Sequence, residues 1–124
     1  MRDPSNPVCR TISTLLSRIG DKWTVLVVTT LGEGPRRFNE LRREIPSVSQ
    51  RMLTLTLRNL ERDGLVSRTV TPSIPPRVDY ALTELGRSLL NPLNALAEWA
   101  VENIATIHGA QAGFDAEADA REAA

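Results

Sequence analysis

Hydrophobic positions recur with a helical period near both ends and in the middle of the chain, and with a period of two in between. Residues 9–19 carry an apolar side chain every three or four positions, which predicts an amphipathic helix. Residues 22–31 follow Asp21, a favourable N-cap, and are apolar almost all round, as in a helix buried at the centre of a small domain. Trp23 is the largest side chain of that helix, so we expect it to fill the core.

The middle of the chain contains two predicted helices joined by a tight turn. The first spans about residues 38–44 and ends before Pro46, because proline disfavours helix in the residue that precedes it. The second begins after Ser47 or Ser49, either of which can cap it, and ends at Gly64. A short helix, a tight turn and a longer helix form the outline of a helix-turn-helix.

The second of these helices has an apolar face and an arginine-rich face. At 100° per residue, Leu53, Leu57 and Leu60 fall on one side. The opposite side is formed by Arg51, Leu55, Arg58 and Arg62. Guanidinium groups are suited to phosphate and to the edge of guanine, so this side is either a DNA-reading face or an ordinary solvated face. The first turns of a recognition helix usually reach base edges, and here they hold Gln50, Arg51 and Thr54.

The hydrophobic period changes to two after Gly64. Residues 65–71 alternate and are rich in β-branched side chains, and residues 77–82 alternate again, so both predict strands. Three prolines interrupt the pattern between them and predict a loop. A hairpin after a recognition helix would form a wing. Arg68 and Arg77 are expected to flank its loop, where arginine can enter a minor groove or bind phosphate.

A long apolar stripe follows the hairpin. Thr83 is an N-cap, and the pattern predicts a helix over about residues 84–107 that Pro92 kinks or splits near Leu90. This stripe exceeds what so small a domain can cover, so it either packs on a second copy, with the first helix, or folds back on its own domain. A two-fold dimer is the commonest closed oligomer. The expected dimer contacts are Ile12, Leu15, Leu89, Leu93, Leu96, Ala100 and Ile104.

Length and composition predict one domain. The chain has 124 residues, of which 41% are hydrophobic and 24% are charged, as in a soluble globular protein. Residues 1–8 contain two prolines and no periodicity, and are expected to form a flexible arm. Residues 9–108 form the predicted domain. Residues 109–124 are rich in alanine, glycine and acid, and are expected to be an acidic, disordered tail.

The net charge is zero, but positive and negative charges are concentrated in different segments of the chain. Residues 36–68 hold eight arginines against four carboxylates, a local charge of +4. Residues 98–124 hold one arginine against six carboxylates, a local charge of −5. Because the local patch decides whether a protein binds DNA, a nucleic-acid partner is compatible with a neutral chain.

Several classes of function are disfavoured by what the sequence lacks. No apolar run approaches a membrane span, and the N-terminus has no apolar signal region, so we expect a cytoplasmic protein with no membrane partner. The single cysteine allows no internal disulfide. One histidine, no glycine-rich phosphate loop and no paired metal-ligand spacing argue against an enzyme, and we expect no cofactor and no metal.

Five motifs, taken in order over roughly residues 9–100, resemble the HxlR-type family of winged helix-turn-helix transcription regulators, which are related to MarR-like regulators. The motifs are GDKW, RRFNEL, a Pro–Ser–Gln turn, LRNLERDGLVSR and PPRVDYALTELG. The resemblance implies a bacterial or archaeal, nucleoid-associated regulator that binds double-stranded operator DNA as a homodimer. It also implies dimer contacts through the terminal helices, a recognition helix in the major groove and a wing beside the minor groove.

The resemblance assigns roles to particular residues. Leu55 stands where a polar residue is expected, and is either a contact for a thymine methyl or an exposed leucine. The implied base readers are Gln50, Arg51, Thr54 and Arg58. The expected phosphate and wing contacts are Arg36, Arg37, Ser49, Arg62, Arg68 and Arg77.

Cys9 is a candidate redox or electrophile sensor. Some members of the family use an N-terminal cysteine in this way, although Arg10 follows it here in place of a frequent proline. A thiol in the first turn of a helix beside an arginine is placed to react as a thiolate. The alternative is an inert thiol packed under the dimer interface.

The sequence therefore predicts a mainly α protein with a small β-hairpin wing, acting as a sequence-specific DNA-binding transcriptional regulator. Repression is favoured, because a compact domain without an activation segment can block polymerase by occupying a pseudo-palindromic operator. A small molecule or an oxidant is the expected effector. The competing prediction is a winged-helix module that binds protein and has no affinity for DNA.

Overall fold

The computed structural model describes residue 3 and residues 5–123. Residues up to Leu90 form one unit, and residues from Asn91 onward form a second. The elements in chain order are α1 (Pro7–Ile19), α2 (Lys22–Leu31), α3 (Phe38–Glu44), α4 (Gln50–Arg62), β1 (Val66–Thr71), β2 (Arg77–Leu82), α5 (Glu84–Ser88) and α6 (Leu90–Ala123). The predicted fold class, mainly α with a two-stranded antiparallel hairpin, is confirmed.

The first helix begins two residues earlier than the sequence predicts. The Asn6 side chain accepts a hydrogen bond from the backbone N–H of Val8 at 2.8 Å, and Pro7 occupies the first helical position, where its missing N–H costs nothing. Pro7 and Val8 therefore belong to α1 and not to the predicted arm. Residues 1, 2 and 4 of that arm lie outside the described residues.

The turn between α3 and α4 resolves the choice between two serine caps. Ser49 is the cap: its side chain accepts a hydrogen bond from the backbone N–H of Met52 at 3.0 Å. Ser47 instead has a φ of 73°, in the left-handed region that reverses the chain within the turn. Gly64, with a φ of 78°, follows the end of α4 as the sequence predicts.

The core of the first unit forms where α2, α3 and α4 pack together. The largest fully buried side chains are Val27, Val28, Leu31, Leu41, Leu53, Leu57 and Leu60. The predicted apolar face of α4 is thus buried. The prediction that Trp23 fills this core is wrong, since its ring is half-buried with the Lys22 ammonium 4.6 Å from its centroid.

The hairpin is joined to the helix-turn-helix by backbone hydrogen bonds. Val66 pairs with Leu82 at its base and Thr71 with Arg77 at its loop end. The backbone of Arg36, just before α3, exchanges two hydrogen bonds with Tyr80, at 2.9 and 2.8 Å. This short bridge ties β2 to the segment just before α3 and so fixes the position of the hairpin beside that helix.

The base of the hairpin also requires a glycine in α5. A Cβ atom added to Gly86 would lie 2.1 Å from the carbonyl oxygen of Leu65. The absence of a side chain therefore allows α5 to pack directly on the backbone that leads into β1.

The predicted split of the last helix near Leu90 is confirmed, since α5 ends at Ser88 and α6 begins at Leu90. Pro92 lies in the first turn of α6, where proline does not break the hydrogen-bond ladder. The predicted disordered tail is helical from residue 109 to Ala123. Its alanines favour helix without an apolar period, and this is why the pattern of hydrophobic residues underestimated its order. Residue 124 lies outside the described residues.

Within the described part of the chain, no helix combines the length and hydropathy that crossing a membrane requires.

Candidate nucleic-acid interface

The side of α4 turned away from the core holds the four predicted base readers. Gln50, Arg51, Thr54 and Arg58 are all exposed, and we call this set the reading face. The hydroxyl of Thr54 donates to the carbonyl oxygen of Gln50 at 2.8 Å, which engages its proton within the helix. Among the described residues, Arg51 and Arg58 form no ion pair. The reading face therefore presents two guanidinium groups that no carboxylate of the described chain neutralises.

Arg36 does not have the exposed guanidinium that a phosphate contact requires. Its side chain is only 17% exposed, and its Nε donates to Glu44 Oε2 at 2.7 Å. Its Nη1 donates to the carbonyl oxygens of Gly34 and Pro35, at 2.9 and 3.1 Å. The hydrogen bond with Glu44 raises the pKa of the guanidinium above its ordinary value. The side chain of Arg36, predicted as a phosphate contact, therefore stabilises the turn before α3 through hydrogen bonds within the chain.

Arg37 has different surroundings from its neighbour. Its backbone N–H donates to Glu40 Oε1 at 2.9 Å and so closes the start of α3, while its side chain stays exposed. Together with Arg43 of α3 and Arg77 of the hairpin it lines an open groove of about 880 Å³ between α3 and the hairpin loop. We call this the wing groove. Arg77 donates to Asp79 Oδ2 at 3.0 Å but remains 52% exposed, so it can exchange that carboxylate for a phosphate.

Arg68 and Arg77 do not flank the hairpin loop together, as the sequence suggested. Arg77 pairs with Thr71 at the loop end, whereas Arg68 pairs with Tyr80 halfway along the hairpin. Side chains of a strand alternate between faces, so the offset of three positions between these two pairs puts the arginines on opposite faces. Arg68 instead shares a groove with Thr54 and Arg58 of the reading face. Its position follows from the strand register, which the sequence alone did not reveal.

The two other predicted phosphate contacts lie at opposite ends of α4. Ser49 caps the N-terminus, where backbone N–H groups favour an anion, and Arg62 is exposed in the last turn. The structure therefore brings Ser49, Arg37 and the reading face to the exposed side of the helix-turn-helix, and leaves Arg36 out.

The model of the HxlR-like helix-turn-helix family matches residues 18–108. The chain belongs to that family. It is 51% identical over 88 residues to an HTH-type transcriptional regulator of Methanothermobacter thermautotrophicus, an alignment that covers 71% of this chain and 67% of the relative.

Solved structures of HxlR-like and related regulators share the fold. The transcriptional regulator ytfH of Salmonella typhimurium aligns with a TM-score of 0.74 and 33% identity, covering 88% of this chain and 94% of that one. The redox regulator HypR in its reduced form aligns with a TM-score of 0.73 and 42% identity, covering 80% and 98%. The predicted winged helix-turn-helix transcriptional regulator is confirmed. The family and these relatives are regulators and not enzymes.

The expected dimer residues of this HxlR-like chain differ in exposure. Leu15 of α1 and Leu96 and Ile104 of α6 are 45%, 65% and 44% exposed, and Ala100 is exposed as well. Ile12 and Leu89 are half-buried, and Leu93 is only 7% exposed. The terminal helices thus each carry uncovered apolar side chains, but Leu93 adds little to that surface.

The single cysteine and the single histidine of the chain lie on its first and last helices. Cys9 is partly exposed in the first turn of α1, the position that the sequence suggests. His108 is exposed on α6. No three His, Cys, Asp or Glu residues converge as metal ligands within residue 3 and residues 5–123.

Sequence reasoning missed an ion pair between α1 and the C-terminus of α4. Arg18 Nη1 donates to both carboxylate oxygens of Asp63, at 2.6 and 2.7 Å. The two side chains are 30% and 17% exposed and lie 45 positions apart. No local pattern signals a pair at that separation. It fixes the end of the recognition helix to α1.

Proposed function

We propose that this chain binds double-stranded operator DNA as a homodimer and represses transcription by occupying the site. In this proposal α4 enters the major groove and the hairpin loop lies at the minor groove. The observation that supports the proposal most strongly is that α4 has one buried apolar face and one exposed face that carries arginines. Leu53, Leu57 and Leu60 are at most 2% exposed, while Arg51 and Arg58 are exposed and have no carboxylate partner among residue 3 and residues 5–123.

The proposed contacts fall into readers and anchors. Gln50, Arg51, Thr54 and Arg58 form the reading face and discriminate bases, because amide and guanidinium groups form paired hydrogen bonds with purine edges. The proposed anchors on phosphate are Arg37, Ser49, Arg62, Arg68 and Arg77. Arg36 holds the turn before α3 and is not among them.

A dimer is supported by apolar side chains that the described chain leaves exposed. Leu15 and Leu16 of α1 are 45% and 60% exposed, and Leu96 and Trp99 of α6 are 65% and 56% exposed. Side chains of this size seldom remain in water when they lie close together on one helix face. Two protomers related by a two-fold axis would place their half-sites about 34–36 Å apart, or at a multiple of that distance.

The deciding experiment is fluorescence anisotropy of a labelled fragment from the protein's own upstream region, with random DNA as the reference. Arg51→Ala and Gln50→Ala are each expected to lose about 1–3 kcal/mol on the cognate fragment and little on random DNA. The matched control is Arg121→Ala, which removes an exposed arginine from the last turn of α6 and should leave both affinities unchanged.

Two outcomes would contradict the proposal. Equal losses on cognate and random DNA would show that Arg51 and Gln50 are anchors and that the reading face lies elsewhere. No binding to either DNA at low salt would favour the alternative, a winged-helix module that binds protein.

A thiol switch at Cys9 is a second proposal, favoured by a specific observation. The chain is 42% identical to the redox regulator HypR over 80% of its length, and its one cysteine is partly exposed in the first turn of α1. Oxidation by diamide would join the thiols of two protomers. Two protons and two electrons would pass to diamide, which is reduced to its hydrazine.

This second proposal predicts a change in operator affinity on treatment with diamide that Cys9→Ser abolishes. A disulfide-linked dimer on non-reducing gels, absent in the variant, should accompany it. Operator binding that diamide leaves unchanged would make Cys9 a structural residue.

A further inference from the structure

The loop that joins β1 to β2 is apolar at its tip, although hairpin loops in water are usually polar. Ile74 is fully exposed there, and three of the other four residues between the strands are prolines. No charged residue stands between Thr71 and Arg77 in the sequence. One exposed isoleucine is ordinary on a protein surface, so what matters is whether it belongs to a larger apolar surface.

The apolar tip continues one face of the hairpin. Val66 and Leu82 pair at the base of the hairpin, and both are buried. Four positions further along each strand, and therefore on the same face, Val70 pairs with Val78. Val70 is 47% exposed, so the face that begins in the core emerges from it towards the loop. We call the exposed end of the hairpin the wing tip, and it consists of Val70, Pro72, Ile74, Pro75 and Pro76.

The wing tip is stiff. Proline fixes its own φ, and prolines stand on both sides of the Ser73–Ile74 pair. The Ser73 hydroxyl donates to the carbonyl oxygen of Pro75 at 2.7 Å and so joins the two residues that flank Ile74. Isoleucine is β-branched and has few rotamers. Inserting such a side chain into a partner therefore costs little conformational entropy.

Positive charge surrounds the base of the wing tip. The wing groove is lined by Arg37, Arg43 and Arg77 against one carboxylate, that of Glu40, and the loop residues Ser73, Pro75 and Pro76 line it as well. An apolar point that projects from a basic base fits a partner with an apolar interior between rows of negative charge. The minor groove of DNA has this character, since its sugar walls and stacked bases lie between two rows of phosphates.

We propose that Ile74 is an apolar wedge that enters the minor groove of the operator and partly unstacks one base step in each half-site. Apolar wedges of this kind kink a duplex by about 20–90°. Arg37 and Arg77 hold the phosphates beside the wedge. This inference rests on the proposed DNA-binding function and adds to it a source of specificity outside the reading face. Because pyrimidine–purine steps are the easiest to unstack, the wedge selects such a step without a hydrogen bond to a base.

The test uses the whole chain and its own operator fragment, labelled at its two ends with a donor and an acceptor dye, so that bending raises energy transfer. A second set of fragments carries 2-aminopurine, whose fluorescence rises on unstacking, at successive steps. The wild type should bend the fragment and raise the fluorescence at one step in each half-site. Ile74→Ser should abolish both signals and bind about tenfold more weakly. Ile74→Leu retains an apolar side chain and should behave as the wild type does.

Two further measurements separate a wedge from a general loss of binding. Ile74→Ser removes no charge, so it should leave the slope of log affinity against log salt unchanged. Replacing a pyrimidine–purine step at the unstacked position with the stiffer AA step should weaken wild-type binding about tenfold and leave Ile74→Ser unaffected. The matched control is Leu85→Ser, which removes an exposed leucine of α5 outside the hairpin and should change neither bending nor affinity.

Each contrary outcome has a distinct meaning. An Ile74→Ser variant that binds and bends the operator as the wild type does would overturn the wedge while the DNA-binding function stands. Equal losses for Leu85→Ser would also overturn it, since any exposed apolar side chain would then serve. Binding to phosphatidylglycerol vesicles that depends on Ile74, with operator bending unchanged, would assign the wing tip to a lipid surface. Failure of the wild type to bind any DNA would remove the proposed function itself.

Discussion

Two adjacent arginines show how much a single residue depends on what the fold places around it. Arg36 is enclosed by Glu33, Glu44 and two backbone carbonyls, whereas the side chain of Arg37 is open to solvent. The sequence motif treats them alike. The difference arises because Glu44, at the far end of α3, folds back over the turn, and periodicity does not report such a contact.

These surroundings predict that Arg36→Ala affects stability, whereas Arg37→Ala affects DNA binding. Arg36→Ala should lower the melting temperature, because it leaves the carbonyls of Gly34 and Pro35 and the carboxylate of Glu44 without a donor. Arg37→Ala should leave the melting temperature unchanged but reduce the slope of log affinity against log salt by about one. Thermal denaturation and salt-titrated anisotropy measure the two effects. If Arg36→Ala instead reduced the slope of log affinity against log salt and left the melting temperature unchanged, Arg36 would be a phosphate contact.

Gly86 and Gly109 form a second contrast at the residue scale. A Cβ at Gly86 would meet the Leu65 carbonyl at 2.1 Å, while one at Gly109 would meet nothing within 4 Å. Gly86→Ala should therefore destabilise the protein by about 1–3 kcal/mol or more, as overpacking does. Gly109→Ala should be neutral or stabilising by up to about 1 kcal/mol, since alanine favours helix. Urea denaturation followed by circular dichroism measures both, and an unaffected Gly86→Ala would contradict the close packing of α5 on the hairpin.

At the scale of elements, the sequence predicted most of what local patterns control. The two faces of α4, the turn before it and both strands follow from apolar spacing, serine caps and proline breaks. The strand register and the placement of Arg68 do not follow from these local patterns, because the register of a hairpin also depends on the geometry of the loop that joins its strands. The full length of α6 does not follow from the apolar period, because its last residues favour helix through their alanine content.

The ion pair between α1 and α4 gives a prediction at this scale. A double-mutant cycle with Arg18→Ala and Asp63→Ala should reveal a coupling of about 1 kcal/mol in urea denaturation, since the pair is partly buried and closely spaced. The control is a cycle on Arg77 and Asp79, an exposed pair two residues apart on β2, which should show almost none. Equal coupling in both cycles would mean that the pair does not hold α4 to α1.

At the scale of the whole molecule, the exposed apolar residues of α6 give a prediction about assembly. Leu96→Lys places a charge on the proposed dimer surface and should shift the protein toward monomers in sedimentation velocity. Operator affinity should fall about 100-fold or more, because two linked half-site contacts become independent. Leu85→Lys is the matched control, since Leu85 is 57% exposed on α5 and lies neither on a terminal helix nor on the hairpin. A dimer that resists Leu96→Lys would place the interface elsewhere.

The separation of α4 into a buried side and a reading face governs how proteins of this design can diverge. Leu53, Leu57 and Leu60 specify packing, and none of them belongs to the reading face. Exchanges at Gln50, Arg51, Thr54 and Arg58 thus leave the core unaltered. A duplicated copy could change its target DNA through a few surface substitutions while inheriting an intact scaffold. A single recognition helix can in this way supply many regulators with different operators.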